Sequence, residues 1–188
     1  MAIVKFIASG CPMNNIFPYV MNRNKTEDGI LVSGIHCTPE SALDEFRFVK
    51  NKFGKIDGRQ YYHIVQSFSP DDKLTPETAH EIGLRFAGYF PGYQIVVATH
   101  CDKGHLHNHL VMNSVNMENG KKFHQSADDL ARVKEYSNQL CREYGLSETE
   151  AKSSFGSMPK WKGLLRRKAY SVACRTSCKE DFIYEMEM

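Results

Sequence analysis

With 188 residues, 41% of them hydrophobic, 24% charged, and a net charge of +2, the chain is sized for one domain with a sizeable core. This is the balance of an ordinary globular protein, and it excludes a bulk polycation, so a nucleic-acid partner would have to be met by local clusters of charge. No apolar run approaches the length of a membrane span, and the stretch MAIVKFIASG is too short in apolar residues for a signal peptide. The six cysteines (Cys11, Cys37, Cys101, Cys141, Cys174, Cys178) are scattered and read as reduced thiols of a cytoplasmic protein.

Residues 3–9, IVKFIAS, are strand-like and are broken by Gly10, Cys11 and Pro12. A short helical stretch, MNNIFPYVMN, follows, and Pro18 inside it should kink or end the helix. A polar loop, 22–29, leads to a second strand over 30–37. Thr38 as N-cap, Pro39 in the first turn and Glu40 open a helix that stops at Gly54, with Leu43, Phe46, Val49 and Phe53 at helical spacing. The third strand, RQYYHIVQSFS, sets Tyr62, Ile64, Gln66 and Phe68 on one face and Tyr61, His63, Val65, Ser67 and Ser69 on the other. Thr75, Pro76 and Glu77 start a helix carrying Ala79, Ile82, Phe86 and Phe90, which ends at Pro91-Gly92. Two strands over 93–100 and 105–115 are joined by the turn CDKG. Asn119-Gly120 marks a small hairpin. Ser126 with Asp129 caps a helix of about 18 residues, ending at Gly145, whose apolar stripe is Leu130, Val133, Tyr136 or Ser137, and Leu140.

The order β-α-β-α-β-α-β-β-α predicts an α+β sandwich with helices on one face and a site on the other. Composition changes from Ser147. Lys160, Lys162, Arg166, Arg167, Lys168, Arg175 and Lys179 fall in a stretch without acidic residues that also holds Trp161 and Tyr170. That segregation is the footprint of a phosphate-backbone partner with a stacking surface for unpaired bases, or else of a solvated basic helix. Ser177 and Glu180 form a capping box, and the apolar pattern is still running at Met188, as expected for a piece of a longer protein. The expected organisation is a folded domain, 1–146, and a basic, partly helical extension, 147–188.

The stretch HLHNHLVMN carries His105, His107 and His109 at alternating positions, so in a strand all three share a face. The turn brings His100 back beside them. Alternate residues stand roughly 7 Å apart, so one ion can take two neighbours from this strand and one from across the hairpin. Spacing alone lets either His105 or His109 join His107. Three imidazoles with open positions suit a catalytic divalent metal.

Read as H-x-D-x-x-H-x-H-x-H-x-x-x-N, residues His100, Asp102, His105, His107, His109 and Asn113 resemble the third motif of MOB-P class conjugative relaxases, within the HUH endonuclease group. The resemblance covers the chain to about residue 145. It implies a palm-like, mostly antiparallel five-stranded sheet, with His100, His107 and His109 as ligands of Mg2+ or Mn2+ and with His105 and Asn113 behind them. It places the nucleophile at Tyr19 in FPYVMNRNKT, with Arg23 and Lys25 just beyond on the DNA side, and Ser67 in HIVQSFSP as a DNA contact near the nick. Asp102 either orients a ligand or takes the tyrosine proton. The implied reaction nicks one strand at an origin of transfer and leaves a 5′-phosphotyrosine, since a tyrosyl phosphodiester resists water yet reacts with a 3′ hydroxyl. The implied partners are single-stranded origin DNA, accessory relaxosome proteins and a transfer coupling protein, in the bacterial cytoplasm. The other readings are a rolling-circle replication initiator, a metal-dependent hydrolase with a water nucleophile, and a non-catalytic single-stranded DNA-binding module. Lys160, Trp161, Lys162, Arg166, Arg167 and Lys168 are candidate DNA contacts from charge pattern alone.

Overall fold

The computed structural model describes residues 2–148 and 160–176 together with Ile183 and Met186; for residues 160–163 and 166 only the backbone is described. The chain divides into two compact units, Met1–Thr149 and Glu150–Met188. In the first unit, β1 (Ile3–Ser9), β2 (Val32–Ile35), β3 (Tyr61–Ser67), β4 (Ile95–His100) and β5 (His107–Asn113) form one sheet in the order β1-β3-β5-β4-β2. All four pairings are antiparallel. The helices are α1 (Ile16–Val20), α2 (Ala42–Lys52), α3 (Pro76–Ala87) and α4 (Ala127–Glu143). This is the α+β architecture expected from the order of elements.

Strand alternation separates two faces. Tyr62, Ile64, Ile95, Val97, Leu110 and Met112 point to a core shared with Ile82 and Phe86 of α3 and Val133 and Leu140 of α4. On the opposite face, Tyr61, Val96, Ala98 and Val111 pack against Phe17 and Val20 of α1 and Ala42 and Phe46 of α2. Helices therefore touch both faces, against the expectation of one bare face. Helix α2 meets the Asn113 end of β5, and α1 reaches the ends of β4 and β5 nearest the hairpin, where the histidines lie. Each large side chain fully buried in either cluster, such as Phe46 or Phe86, contributes about 1.5–3 kcal/mol.

Helix starts follow the sequence signals with one change of chemistry. Thr75 Oγ1 accepts from Thr78 N at 3.2 Å, and Ser126 and Asp129 form the expected reciprocal box. Thr38 makes no side-chain cap. Its N–H donates to Glu45 Oε1 at 2.9 Å, Ser41 Oγ donates to the same oxygen at 2.6 Å, and α2 begins at Ala42 after a 3-10 turn. Pro18 falls in the first turn of α1, where a missing N–H loses no helical bond, and the helix ends at Val20.

The hairpin is wider than CDKG. His100 pairs with His107, so the connection runs over residues 101–106 and His105 lies in it, outside the strand. The Leu106 carbonyl instead accepts from Phe68 N at 3.0 Å. In the second unit, α5 (Lys160–Ala173) exposes Arg167 and Lys168; the expected capping box at Ser177 and Glu180 lies outside the described residues. Cys37, Cys101 and Cys141 are free thiols, whereas Cys11 and Cys174 are disulfide-bonded, so the expectation of six reduced thiols holds only in part. Among the described residues, no helix is long and apolar enough to cross a membrane.

Candidate active site

His100 closes β4 and His107 opens β5 directly opposite, with His109 two residues further on the same face. The rings of His100 and His109 lie 4.3 Å apart between centroids, those of His107 and His109 4.9 Å, and those of His100 and His107 5.2 Å. One nitrogen from each lies within 4.8 Å of the other two, and all three residues are buried.

The second nitrogen of each ring identifies the first. His100 Nε2 donates to the Val20 carbonyl at 2.8 Å, which leaves Nδ1 for a ligand. His109 Nδ1 and His63 Nε2 lie 2.8 Å apart, and with His109 Nδ1 as the donor its Nε2 is left for a ligand. His107 Nδ1 faces the His105 carbonyl at 3.4 Å, which leaves its Nε2. Among the described residues, His100 Nδ1 and His109 Nε2 are buried without a hydrogen-bond partner. Two orphaned imidazole nitrogens in a dry site are costly unless something partners them, and a divalent cation fits that pair as donors. Burial lowers the pKa of His100 and His107 and pushes His109 down to about 2 and His63 to about 4, the neighbouring histidines adding to the effect on the last two. The cluster is thus neutral near pH 7, the form in which imidazole binds metal.

Tyr19 stands over this cluster. Its ring centroid lies 5.5 Å from that of His109, 5.9 Å from His100 and 6.4 Å from His63. With 45% of its surface exposed, it is open to a large substrate. Lys25 Nζ lies 5.1 Å from the Tyr19 ring centroid and 3.2 Å from Asp102 Oδ2. Asp102 Oδ1 is 4.0 Å from His100 Nδ1. Burial opposes ionisation of Asp102, but the Lys25 hydrogen bond and charge, with His100, hold its carboxyl below the usual range. The Val20 carbonyl holds His100 from behind, and Asp102 stands on the ligating side of the ring. Ser67 pairs with His107 on the same face, and Arg23 is exposed in the turn before Lys25.

Two residues assigned a place behind the ligands divide. His105 meets His107 through its main-chain carbonyl and through its ring, whose centroid lies 5.4 Å from that of His107. Asn113 is at the far end of β5, roughly 20 Å along the strand from His107. Its amide bonds the Phe46 carbonyl at 3.3 Å and Gln94 Oε1 at 3.0 Å, and its carbonyl accepts from Lys50 Nζ. It supports the sheet and does not touch the histidines. The side chains of Lys160, Trp161, Lys162 and Arg166 lie outside the described residues. His63 is the contributor that sequence reasoning did not single out, although its place on the Ser67 face of β3 was the available signal. No side-chain pattern could have pointed to the Val20 carbonyl.

A family model described as relaxase, MobA/VirD2-like, nuclease domain, matches residues 19–146. Protein Rlx of Staphylococcus aureus is 36% identical over 169 residues, which cover 82% of this chain and 53% of Rlx. The group II intron-interrupted relaxase LtrB of Lactococcus lactis subsp. cremoris is 38% identical over 138 residues, 59% of this chain and 24% of LtrB. The chain thus spans about half the length of Rlx and less of LtrB. The solved MobM relaxase domain, Mn-bound and in complex with pMV158 oriT DNA, superposes with a TM-score of 0.61 at 13% identity, over 88% of this chain and 98% of that one. A chain from work on the molecular basis of vancomycin resistance transfer in Staphylococcus aureus gives 0.58 at 11% identity, over 82% and 100%. At such identities the likeness carries the fold alone. The family model spans well over half of the residues, and its stretch includes Tyr19 and every histidine of the cluster; the chain belongs to the MobA/VirD2-like relaxase family.

Proposed function

We propose that this domain cuts one strand of single-stranded origin-of-transfer DNA with Tyr19 and keeps the 5′ phosphate as a phosphotyrosine. The observation that carries the reading is Tyr19 set over two buried, unpartnered imidazole nitrogens of His100 and His109. His100 Nδ1, His107 Nε2 and His109 Nε2 would hold a divalent ion, Mg2+ or Mn2+. When bound, such an ion polarises the scissile phosphate and offsets the charge that develops on it. Tyr19 Oη attacks phosphorus, the bond to the 3′ oxygen breaks, and that oxygen leaves as a 3′ hydroxyl after protonation. We assign the phenol proton to Asp102, since His100 is already oriented by Val20. Attack by a 3′ hydroxyl on the phosphotyrosine reverses the step and rejoins a strand. Ser67, Arg23 and Lys25 are placed to meet the strand near the nick.

In this reading residues 1–146 are the catalytic domain and 147–188 an extension whose Lys160, Trp161, Lys162, Arg166, Arg167 and Lys168 add contacts to single-stranded DNA. Relaxosome proteins and a transfer coupling protein are partners of the whole protein, which works in the bacterial cytoplasm. The test is cleavage of labelled oligonucleotides that tile the origin of transfer, with Mn2+, with Mg2+ and with EDTA. Expected are metal-dependent cleavage at one phosphate and rejoining to a second 3′ end. Cleavage without rejoining would favour a hydrolase with a water nucleophile, and binding without cleavage a non-catalytic module.

A further inference from the structure

The face of the sheet opposite the histidines is apolar except for one chain of buried polar groups, directly behind the cluster. Ser33 Oγ lies 2.8 Å from His80 Nε2, and His80 Nδ1 lies 2.9 Å from Thr99 Oγ1. Thr99 Oγ1 donates to Asn108 Oδ1 at 2.7 Å. Asn108 Nδ2 donates to the Ala79 carbonyl at 2.7 Å and to Gln66 Oε1 at 3.1 Å, and Gln66 Nε2 donates to Ser137 Oγ at 2.8 Å. Gln66, Thr99 and Asn108 are fully buried.

The donors run in a single direction. The Ala79 carbonyl can only accept, so it fixes which end of the Asn108 amide is nitrogen. Asn108 Oδ1 then takes the Thr99 proton. Thr99 Oγ1 must accept from His80 Nδ1–H, and His80 Nε2 must accept from Ser33. No member can be turned without leaving a buried group unsatisfied. Helix α3 comes so close here that a Cβ on Gly83 would stand 2.7 Å from Asn108 Nδ2.

Each strand member neighbours a site residue across the pleat. Thr99 precedes His100, Asn108 lies between His107 and His109, and Gln66 precedes Ser67. Well-packed apolar residues in these places would stabilise the fold as well or better. They would not hold β4 and β5 to one register and roll, because apolar contacts are non-directional, whereas bonds of 2.7–3.1 Å weaken with a small shift. Convergent ligands have to be held within about 0.5 Å. We infer that Thr99, Asn108, His80 and Gln66 are positioning residues that set the convergence of the three histidines from the rear of the sheet, so that metal affinity depends on them although none touches the ion. This rests on the reading of His100, His107 and His109 as a metal centre.

The test is calorimetric titration of the full chain with Mn2+ alone, with thermal unfolding measured in parallel. Thr99→Val keeps the side-chain shape and removes the hydroxyl, Asn108→Leu removes the central amide, and Thr99→Ser restores the hydroxyl. Leu140→Ala, buried on the same face outside the chain, controls for reduced stability. Thr99→Val and Asn108→Leu are expected to weaken Mn2+ binding about tenfold, Thr99→Ser by less than about twofold, and Leu140→Ala to lower the melting temperature without changing the affinity of the folded protein. If Asn108→Leu does not fold, the pair Thr99→Val and Thr99→Ser decides. Unchanged affinity in Thr99→Val, or equal weakening in Leu140→Ala, overturns the inference while a parent that binds Mn2+ keeps the metal centre. A parent that binds no Mn2+ overturns both.

Discussion

Replacing Asn113 by alanine separates a role in the scaffold from a role behind the metal. Asn113 is fully buried, and its two amide donors go to the Phe46 carbonyl and Gln94 Oε1. Its oxygen accepts from Lys50, whose Nζ also donates to the Gln60 carbonyl and to Ser114 Oγ. A bond from a charged donor is worth about 1.5–3 kcal/mol and each neutral one about 0.5–1.5. Below about pH 7, where Lys50 is protonated in the folded chain, Asn113→Ala should therefore cost roughly 3–5 kcal/mol, a large part of the ~5–15 kcal/mol that holds a domain together. Urea denaturation should show a lower midpoint with an unchanged slope. Protein that remains folded should bind Mn2+ as the parent does, because the deleted bonds lie at the other end of β5. A cost below about 1 kcal/mol, or a folded variant that no longer binds metal, would refute this placement of Asn113.

Burial, with the charge of Lys122, pushes the Lys50 pKa down to about 7 from 10.5. Between those values the unfolded chain binds a proton that the folded chain does not. Stability should rise with pH from about 7 by at most ~1.4 kcal/mol per unit, and Lys50→Met should remove that contribution, as chemical denaturation across the range would reveal. His63→Ala should weaken Mn2+ binding about 10–100-fold through loss of the bond to His109 Nδ1, whereas His105→Ala should change it little because the group that meets His107 Nδ1 is the His105 carbonyl, which alanine keeps. Calorimetry that ranks the two the other way round contradicts the site. Deleting residues 159–188 should flatten the salt dependence of single-stranded DNA binding by about 0.7 in log–log slope for every phosphate the tail neutralises and leave Mn2+ binding intact; an unchanged slope removes the tail from the DNA-binding surface.

Much of this architecture is legible in the sequence because strand alternation and cap chemistry are local. The two faces of β3, the Thr75 and Ser126 helix starts and the antiparallel hairpin are where periodicity puts them. The departures are non-local. His105 continues the alternation of His107 and His109, so the sequence reads as strand where the chain has already left the ladder, because Leu106 is held by Phe68 of the neighbouring segment. Asn113 closes the histidine motif in sequence, yet one strand's length takes it away from the cluster. His63, 46 residues from His109, becomes its partner only through the β3–β5 register. Alternation puts Gln66 on the core face, but its bond to Asn108 depends on helices and strands that no short pattern encodes. Thr38 carries the cap signal, yet Glu45 from the next turn satisfies its N–H.

Mapping the adduct decides whether Tyr19 forms the covalent bond to DNA. The full chain would be incubated with Mn2+ and a labelled origin oligonucleotide, denatured in SDS, digested with protease, and the DNA-bearing peptide sequenced by mass spectrometry, in parallel with Tyr19→Phe. Expected is an SDS-resistant adduct on the peptide containing Tyr19, with none formed by Tyr19→Phe although that variant still binds the strand. An adduct on Tyr61, Tyr62, Tyr89 or Tyr93, or cleavage that persists in Tyr19→Phe, would contradict it.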